Sequence, residues 1–469
     1  MEEGQAVKTP LLVTNKLANN FSSSSSSVTF VVVLSTLVAA WGSYAYGNVV
    51  GYSSPAESGI VNDLGLTLAE YSTFGSMSTV GAMFGGLWSG KIADVIGRKG
   101  AMGVSDLFFI TGWLAITFSK GAWSLNFGRF LVGCGVGLVS YVVPVYIAEI
   151  TTKDVRGTFL SAKHLMICCG KAVSFIVGSF ISWRALALLG LVPCLLQLLG
   201  LFFIPESPRW LMTKDRVKDS ETSLYRLRGE NADISEETAD IKNYTEYCSR
   251  ISGDGILTLF QHKYAYCLIV GVGLMVFQQI SGLSGMSYYT SAIFLSAGFS
   301  SKIGSIMVGI AQIMMALLGL CLIDRFGRRP LLLVSAAGLC LGCVLAGLSF
   351  FLQDLHFGKE LTPALALLGL LVFYSSFGLG MEGMPWIISS EIFPMNIKAS
   401  AGSFINVVSW SCCWLVSFSF NFMFNWSSSG TFFIFAGLCG ANVLFIWKMV
   451  PETKGQTLEE LQVSITRTR

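Results

Sequence analysis

The stretch DVIGRKG (94–100) follows a long apolar segment, and it returns in related form as DRFGRRP (324–330), 230 residues further along the chain. A second pattern repeats in the same way. An acid stands seven residues before a base in EITTKDVRG (149–157) and again in EIFPMNIKA (391–399). Each copy follows an apolar segment at the matching place in its half of the chain. The sequence therefore predicts two structurally related halves.

Composition indicates that both halves lie in a membrane. Of the 469 residues, 53% are hydrophobic and 13% are charged, whereas soluble proteins carry about 25% charged residues. A membrane-spanning helix needs about 20 predominantly apolar residues. The predicted fold is an all-α membrane protein with twelve transmembrane helices in two pseudo-symmetric six-helix bundles. The predicted helices are 28–50, 70–92, 100–118, 124–148, 158–182, 185–204, 262–285, 303–323, 330–352, 362–388, 400–423 and 430–450.

Charged residues predict the orientation of these helices. Basic residues cluster in every second loop, whereas the loop after the first helix carries only acids. Loops rich in Lys and Arg remain on the cytosolic side of a membrane. Both termini are therefore predicted to be cytosolic. The basic clusters are Lys91, Arg98 and Lys99; Lys153 and Arg156; Arg325, Arg328 and Arg329; and Lys398.

The charged stretch 212–250 separates the two halves. Its alternating charges and scattered Leu and Ile residues are typical of short amphipathic helices, here predicted to be cytosolic. Two related halves joined in this way are typical of transporters whose binding site lies between the halves. The polar start, with a serine run at 22–27 and no cleavable signal peptide, predicts a disordered tail. The predicted units are the tail 1–27, the first bundle 28–206, the helical linker 207–261, the second bundle 262–450 and the tail 451–469.

Short motifs recur in order along nearly the whole chain. They are GKIADVIGRK (90–99), GRFLVGCGVG (128–137), PVYIAEI (144–150), PESPRWL (205–211), QQISG (278–282), DRFGRRP (324–330), PWIISSEIFP (385–394) and PETKG (451–455). Together they resemble the sugar porter family of the major facilitator superfamily. The segment GYSSPAESGI (51–60) is most similar to the plant subfamily named for early response to dehydration. The resemblance implies monosaccharide transport by alternating access, in which the site opens to each side of the membrane in turn.

Eight charged residues stand in matched sets at the predicted cytosolic helix ends. In the family, such residues form ionic networks that hold the cytosolic side closed and separate when it opens. Pairs at half-buried helix ends are weak enough to bias such an equilibrium and still break. The alternative is that they are ordinary positive-inside anchors, which explains the bases better than the acids. The predicted network is Asp94, Arg98, Glu149, Arg156, Asp324, Arg328, Glu391 and Lys398.

Polar residues inside apolar helices indicate a sugar site. A pyranose offers several hydroxyl groups and an apolar face, which amide or hydroxyl side chains and an aromatic ring can bind. Gln278 and Gln279 are adjacent amides in one apolar helix, where they are costly unless a ligand or water satisfies them. Hydrogen bonds between helices are the alternative explanation. The resemblance implies that both glutamines contact the sugar and that Trp386 lies below it.

Four positions depart from the pattern of the family. Ser284 stands where an asparagine is usual, and Cys413 replaces an asparagine of the eleventh helix. Gln312 occupies the amide position of the eighth helix, and His164 replaces a sugar-contacting glutamine of the fifth. The resemblance implies a monosaccharide, for which we predict a hexose such as glucose or fructose. Because the polar contacts change at four places, the identity of the sugar does not carry over from the family.

Two charges stand within predicted membrane helices. Lys171 follows His164 by seven residues and so lies on nearly the same helix face. Glu382 stands one turn before Trp386, where the family pattern has glycine. A charge at the bilayer centre costs roughly 2.5–3.5 kcal/mol, so such residues face protein or water. We hypothesise that Lys171 and Glu382 face one cavity and pair directly or through water; the alternative is two separately hydrated charges.

The segment AYGNVVGY (45–52) bears on coupling to protons. Proton-driven members of the family carry an aspartate here, which faces an arginine of the fourth helix. In this chain Val49 takes the place of the acid, whereas Arg129 is retained. Because valine cannot titrate, we predict facilitated diffusion. The alternative is proton symport through another ionisable residue, such as Glu382 or His164.

Other classes of protein fit the sequence less well. The cysteines lie in apolar segments without ligand spacing, and no nucleophile–base arrangement indicates an enzyme, so neither a metal nor a cofactor is predicted. The net charge of +3 gives no indication of nucleic acid. A sugar sensor would need a long signalling tail, and 18 residues follow Pro451. The expected partners are a small-molecule sugar and the lipid bilayer, and the expected state is a monomer. A Leu-Leu pair in KTPLLVTNKL (8–17) favours the vacuolar membrane over the plasma membrane.

Overall fold

The computed structural model of the chain describes residues 28–152, 155–229, 232–251, 259–261, 264–357, 360–393 and 397–452. Within the helices, the side chains at 244, 247–251, 320, 323–325, 390 and 398–400 are outside this description. The first half contains α1 (Phe30–Leu64), α2 (Leu68–Thr117), α3 (Ala122–Ile150), α4 (Arg156–Gly178), α5 (Trp183–Leu189) and α6 (Leu191–Leu201). The linker contains α7 (Pro208–Thr213), α8 (Val217–Arg228) and α9 (Ser235–Ile251). The second half contains α10 (Ala265–Ile280), α11 (Leu283–Ser296), α12 (Ser301–Phe326), α13 (Arg328–Asp354), α14 (Leu361–Ser376), a π-helix (Phe377–Met381), α15 (Met384–Ile392), α16 (Lys398–Trp426) and α17 (Ser428–Met449).

These helices provide the predicted membrane crossings. Among the described residues, eleven helices are long and apolar enough to cross a membrane, with α5–α6, α10–α11 and α14–α15 each counted as one. The helix α2 contains two of the predicted crossings, because it bends at Gly97, where φ is 88° and ψ is 170°. Counting its two arms separately gives twelve crossings. The predicted all-α membrane fold with twelve transmembrane helices is confirmed.

The first helix is longer than the sequence predicted. It continues to Leu64, whereas the predicted segment ended at residue 50. Gly65 ends it in a left-handed conformation, with φ of 64° and its N–H bonded to the carbonyl of Val61. The next helix begins at once, because Thr67 and Glu70 form a capping box. Glu57, Asp63 and Glu70, which the sequence predicts in the loop after the first helix, therefore lie in helices.

The repeat in the sequence is also a repeat in the structure. Gly97 and Gly327 have φ values of 88° and 85°, which side chains other than glycine rarely adopt. After each glycine, two backbone N–H groups donate to one carboxylate. That carboxylate is Glu206 in the first half and Glu452 in the second. The same turn therefore closes the corresponding end of each bundle.

Small residues let the helices of the first bundle approach closely. A Cβ atom added at Gly47 of α1 would run into the carbonyl oxygen of Ile167 in α4. One added at Gly170 of α4 would run into the carbonyl oxygen of Tyr44. Such close backbone contact is typical of membrane helices. It fixes α4 against α1 and thereby the position of Lys171, the residue after Gly170.

The linker helices pack against one end of the first bundle. Trp210 of α7 donates its indole N–H to the backbone carbonyl of Asp94 at 2.9 Å. We call this end, which carries Asp94 and α7–α9, the linker face, and the opposite end, which carries Gly65, the far face. The predicted amphipathic helices are present in this region, since buried apolar side chains hold the linker together. These side chains are Met212, Leu224, Ile234 and Ile241.

Candidate functional site

The two bundles contact each other on the side of the far face. The Ser54 and Ser291 hydroxyl oxygens lie 2.9 Å apart, linking α1 to α11. The rings of Tyr71 and Tyr289 meet edge to face, with centroids 6.1 Å apart, and link α2 to α11. A further side-chain hydrogen bond joins α2 to α16. These contacts close the space between the bundles toward the far face.

At the linker face, the ion pairs of the predicted gating network join helices within one bundle. Arg98 makes two bonds of 2.9 Å to the two carboxylate oxygens of Glu149, which links α2 to α3. Arg328 lies 3.5 Å from Glu391, which links α13 to α15. Arg98 and Glu149 form a bidentate guanidinium–carboxylate pair, which is a stronger interaction than the longer contact between Arg328 and Glu391. These contacts make each bundle rigid at this face, but they do not join one bundle to the other.

The other members of the predicted network differ in their surroundings. Asp94 lies 3.2 Å from Arg98, and its side chain is 68% exposed. Arg156 begins α4, and its buried Nε atom has no hydrogen-bond partner among the described residues. The side chains of Asp324 and Lys398 lie outside the described residues.

Glu206 belongs to the same arrangement and was missed by the sequence analysis as a site residue. Its carboxylate accepts bonds from the backbone N–H groups of Arg98, Lys99 and Ser207. Burial raises the pKa of Glu206, and these three bonds partly offset that effect. The Ser207 hydroxyl in turn donates to Glu149. The PESPRWL motif was the available signal, because it places this acid directly after the sixth crossing.

The two adjacent glutamines use their N–H groups inside the second bundle. Gln278 donates to the carbonyl oxygens of Met381 and Glu382, at 2.7 and 3.1 Å. These carbonyls are available because the helix makes a π-helical turn there, which interrupts the regular bonding pattern. Gln279 donates to the Ser409 hydroxyl at 3.1 Å. Hydrogen bonds between helices are therefore present, and the Gln278 amide oxygen also accepts a bond of 3.4 Å from the Gln279 amide.

Two of the remaining predicted sugar ligands, Gln312 and His164, lie close to the π-helix and to the residues that follow it. Ser284 and Gln312 are buried, and the amide oxygen of Gln312 has no hydrogen-bond partner among the described residues. Trp386 is 38% exposed. The Nε2 atom of His164 lies 3.9 Å from where a Cβ at Gly383 would stand. His164 of the first bundle thus faces the segment before α15 in the second.

Lys171 and Glu382 also meet at this boundary between the bundles. Lys171 is 6% exposed, and its ammonium lies 4.9 Å from the ring centroid of Tyr374 in α14. Cys168, one turn earlier in α4, places its sulfur 3.4 and 3.6 Å from the carboxylate oxygens of Glu382. The two charges form no direct ion pair here. The Cys168 thiol donates to the Glu382 carboxylate, and Lys171 follows Cys168 by three residues, on the same face of α4.

Arg129 is fully buried in the first bundle, and none of the described carboxylates pairs with it. One of its terminal nitrogens donates to the Ser53 hydroxyl, and its other two nitrogens have no partner among the described residues. Val49, which stands one helical turn before Ser53, is also buried. Three rings surround the guanidinium, with centroids 5.2–5.8 Å away: Tyr52, Phe74 and Tyr288.

Tyrosines at the centre of the molecule were not among the predicted site residues. Tyr288 and Tyr289 of α11 and Tyr374 of α14 are almost fully buried between the bundles. The signal for Tyr288 and Tyr289 was present in SYYT (287–290), which follows QQISG by a few residues. Among the described residues, no group of three or more His, Cys, Asp or Glu side chains is placed to hold a metal ion.

Comparison with known proteins agrees with this architecture. The profile of the family described as "Sugar (and other) transporter" matches residues 19–464. "Sugar transporter ERD6-like 17" of Arabidopsis thaliana is 50% identical over 99% of this chain and 98% of its own length. "Sugar transporter ESL1" of the same plant is 49% identical over 94% of this chain and 93% of its own length.

Solved structures with the same fold include a bacterial xylose transporter in two states. The proton:xylose symporter XylE bound to 6-bromo-6-deoxy-D-glucose aligns with a TM-score of 0.77, at 25% identity, over 92% of this chain and 99% of that chain. The inward open conformation of XylE from E. coli aligns with a TM-score of 0.78, at 25% identity, over the same shares.

Two related helical bundles with this fold define a membrane transporter of the major facilitator superfamily. The coverage and sequence identity of the plant relatives then identify one family within this superfamily. The chain belongs to the sugar transporter family, and within it to the ERD6-like type. Its relatives are named as transporters and not as enzymes.

Proposed function

We propose that this protein moves a hexose such as glucose or fructose across its membrane by facilitated diffusion. The observation that carries the proposal is that His164 and Cys168 of the first bundle and Gln278 of the second all contact residues 381–383, while direct contacts join the bundles toward the far face. The names of the plant relatives support a sugar as the substrate. A sugar bound between the bundles would be carried as the bundles rock from one closed face to the other.

The proposed sugar contacts come from both halves. Gln279, Ser284 and Gln312 supply hydrogen-bonding groups from the second bundle, and Trp386 supplies an aromatic face. Gln278 contributes through its amide oxygen, since its N–H groups bind the π-helical turn. His164 supplies the polar contact from the first bundle. The proposed gate comprises the residues of the predicted network at the linker face.

Facilitated diffusion is favoured by the surroundings of Arg129. In the position where an acid would couple a proton, Val49 offers no titratable group. The guanidinium is held by a hydroxyl and by aromatic rings, none of which changes charge near neutral pH. A transport cycle that depends on protonation at this site is therefore not expected.

Proton symport is the second candidate, and one observation favours it. Glu382 is an acid on the boundary between the bundles, and its carboxylate is bonded only to the Cys168 thiol among the described residues. An acid in this position can exchange a proton with the central space. The structural relative XylE is named as a proton symporter.

We propose the vacuolar membrane as the location, ahead of the plasma membrane, with both termini and the linker face in the cytosol. The asymmetry of basic residues supports this orientation. The structure then corresponds to a carrier that is closed toward the vacuolar lumen.

The test is counterflow uptake of labelled hexoses, pentoses and polyols by proteoliposomes, with and without a pH gradient. We expect uptake of at least one hexose, without accumulation above equilibrium and without sugar-evoked proton flux. Accumulation driven by the pH gradient would replace facilitated diffusion with symport. Absence of counterflow for every sugar, by protein that is folded and inserted, would overturn the proposed function.

A further inference from the structure

We propose that Lys171 and Glu382 bind hydroxyl groups of the substrate, one from each bundle, so that a neutral polyhydroxylated sugar bridges the two bundles. This inference rests on the proposed function and specifies which side of the central space recognises the sugar. Lys171 lies in the interior of α4, and Glu382 lies between the π-helix and α15. The two residues therefore approach the same space from opposite halves of the molecule.

The hydrogen-bonding capacity of both residues is largely unused by the protein. Lys171 makes no hydrogen bond or ion pair with the residues that the structure describes, and its ammonium rests near the rings of Tyr374 and Phe175, at 4.9 and 5.9 Å. An ammonium group has three N–H donors. The described part of the chain offers Glu382 a single side-chain donor, the Cys168 thiol, which is a weak one. A strong donor and a strong acceptor thus remain for a ligand.

A sugar hydroxyl matches this arrangement. It accepts a bond from an ammonium and donates one to a carboxylate, so neighbouring hydroxyls can satisfy both residues. Opposite charges that enter a site together cost much less than either charge alone. A ligand with a net charge would leave one of the two residues uncompensated, which favours a neutral sugar over a sugar acid or an amino sugar.

This arrangement also fits the departures noted in the sequence. Ser284 and Cys413 offer less hydrogen bonding than the amides that the family pattern has there. Lys171 and Glu382 add hydrogen bonding on the α4 side of the same space. Recognition is thereby moved from α11 and α16 toward the boundary where α4 faces the π-helix.

The contacts of Gln278 hold Glu382 in position. Its amide binds the carbonyl oxygen of Glu382 itself, and that of the preceding Met381. The α1–α4 glycine contacts hold Lys171 in the same way, since Gly170 packs on the α1 backbone. Lys171 and Glu382 are therefore each fixed to a rigid part of their own bundle. When the bundles rock, the distance between these two residues changes.

The test measures counterflow of the labelled hexose while the unlabelled hexose, or each of its monodeoxy analogues, competes for binding. The variants are Lys171→Met and Glu382→Gln, which keep side-chain length and remove the charge. The matched control is Lys163→Met, because Lys163 is on the same helix and its ammonium donates to the Ser140 carbonyl of α3 at 3.3 Å.

In the wild type, we expect at least one deoxy analogue to bind about 10- to 100-fold more weakly than the parent, as for loss of a hydrogen bond to a charged group. In Lys171→Met or Glu382→Gln, the parent hexose should bind only as tightly as that analogue binds to the wild type. The affinity of the analogue itself should be unchanged by the substitution. Lys163→Met should keep the wild-type pattern. A variant without transport is measured by the thermal shift that the sugars produce in detergent, which requires only folding and binding.

Two results would overturn the proposal. One is a wild-type analogue pattern in both variants, which would remove these residues from sugar recognition while leaving sugar transport intact. The other is restored transport with wild-type analogue preference in the exchanged pair Lys171→Glu with Glu382→Lys, which would show a direct ion pair. Failure of the wild type itself to transport any sugar would instead refute the proposed function.

Discussion

Glu206 and Glu452 occupy equivalent positions in the two halves of the molecule. Each carboxylate accepts two backbone N–H groups directly after a glycine with positive φ. Glu206 follows the last helix of the first bundle, and Glu452 follows the last helix of the second. Each bond set therefore ties the end of a bundle to a turn within that same bundle. Because the ties do not cross between bundles, each bundle can move as one body.

We expect Gly97→Ala to destabilise the protein. The new Cβ would run into the carboxylate of Glu206, and the φ of 88° is unfavourable for alanine, so a loss of about 1–3 kcal/mol is expected. Gly327→Ala should cost less, since its Cβ would stand 3.0 Å from Glu452. The measurement is the apparent melting temperature in detergent. Gly402→Ala is the control, because its Cβ meets nothing within 4 Å; equal melting temperatures in the three variants would contradict the prediction.

The two ion pairs at the linker face should respond differently when their arginine is replaced by lysine. Arg98→Lys keeps the charge but loses the bidentate geometry toward Glu149, so we expect a loss of about 1–3 kcal/mol in stability. Arg328→Lys should cost under about 1 kcal/mol, since that pair is partly exposed and separated by 3.5 Å. Thermal unfolding measures the stability of the two variants, and counterflow measures their transport. Arg216→Lys, at an exposed pair, is the control. A larger effect at Arg328 would show that the second bundle depends on its pair more than the geometry indicates.

The fold was predictable because each crossing carries its own signal. About 20 apolar residues identify a transmembrane helix regardless of its neighbours, and the repeated motifs related the two halves. The end of α1 was not predictable from hydrophobicity, because the helix continues to Leu64 through polar residues, of which Ser53 and Ser54 are buried and Asn62 and Asp63 are exposed. Glu57 and Asp63 were assigned to a loop for that reason.

The central site was predictable only in part. Gln278 and Gln279 stand out by residue type, and the structure places both between helices of the second bundle. Their donors bind the π-helical turn and Ser409, which no pattern of sequence spacing specifies. The contact of Cys168 with Glu382, one turn from Lys171, likewise depends on how the two bundles face each other. Contacts of this kind arise from tertiary packing, which periodicity does not contain.

Replacing Val49 tests the basis of facilitated diffusion. Val49→Asp would introduce a carboxylate one helical turn from Ser53, which holds the buried Arg129. An acid beside a buried arginine forms a pair that protonation can break, so we expect sugar uptake to become dependent on pH. With an inward proton gradient, the variant should accumulate sugar above equilibrium, whereas the wild type and the neutral Val49→Asn should not. Gradient-driven accumulation by the wild type would contradict the prediction.

Cross-linking at the far face tests whether the contact between Ser54 and Ser291 opens during transport. Their hydroxyl oxygens lie 2.9 Å apart on α1 and α11, a separation compatible with a disulfide between cysteines at these positions. Oxidation of the Ser54→Cys, Ser291→Cys double variant should hold the two bundles together and reduce counterflow at least about tenfold, because alternating access requires this face to open. Reduction of the disulfide should restore transport. The chain has twelve native cysteines, so the two single variants under the same oxidant are the control, and they should remain active. If the cross-linked protein transports at the rate of the reduced protein, the far face does not need to open between Ser54 and Ser291, and the proposed rocking of the bundles is wrong.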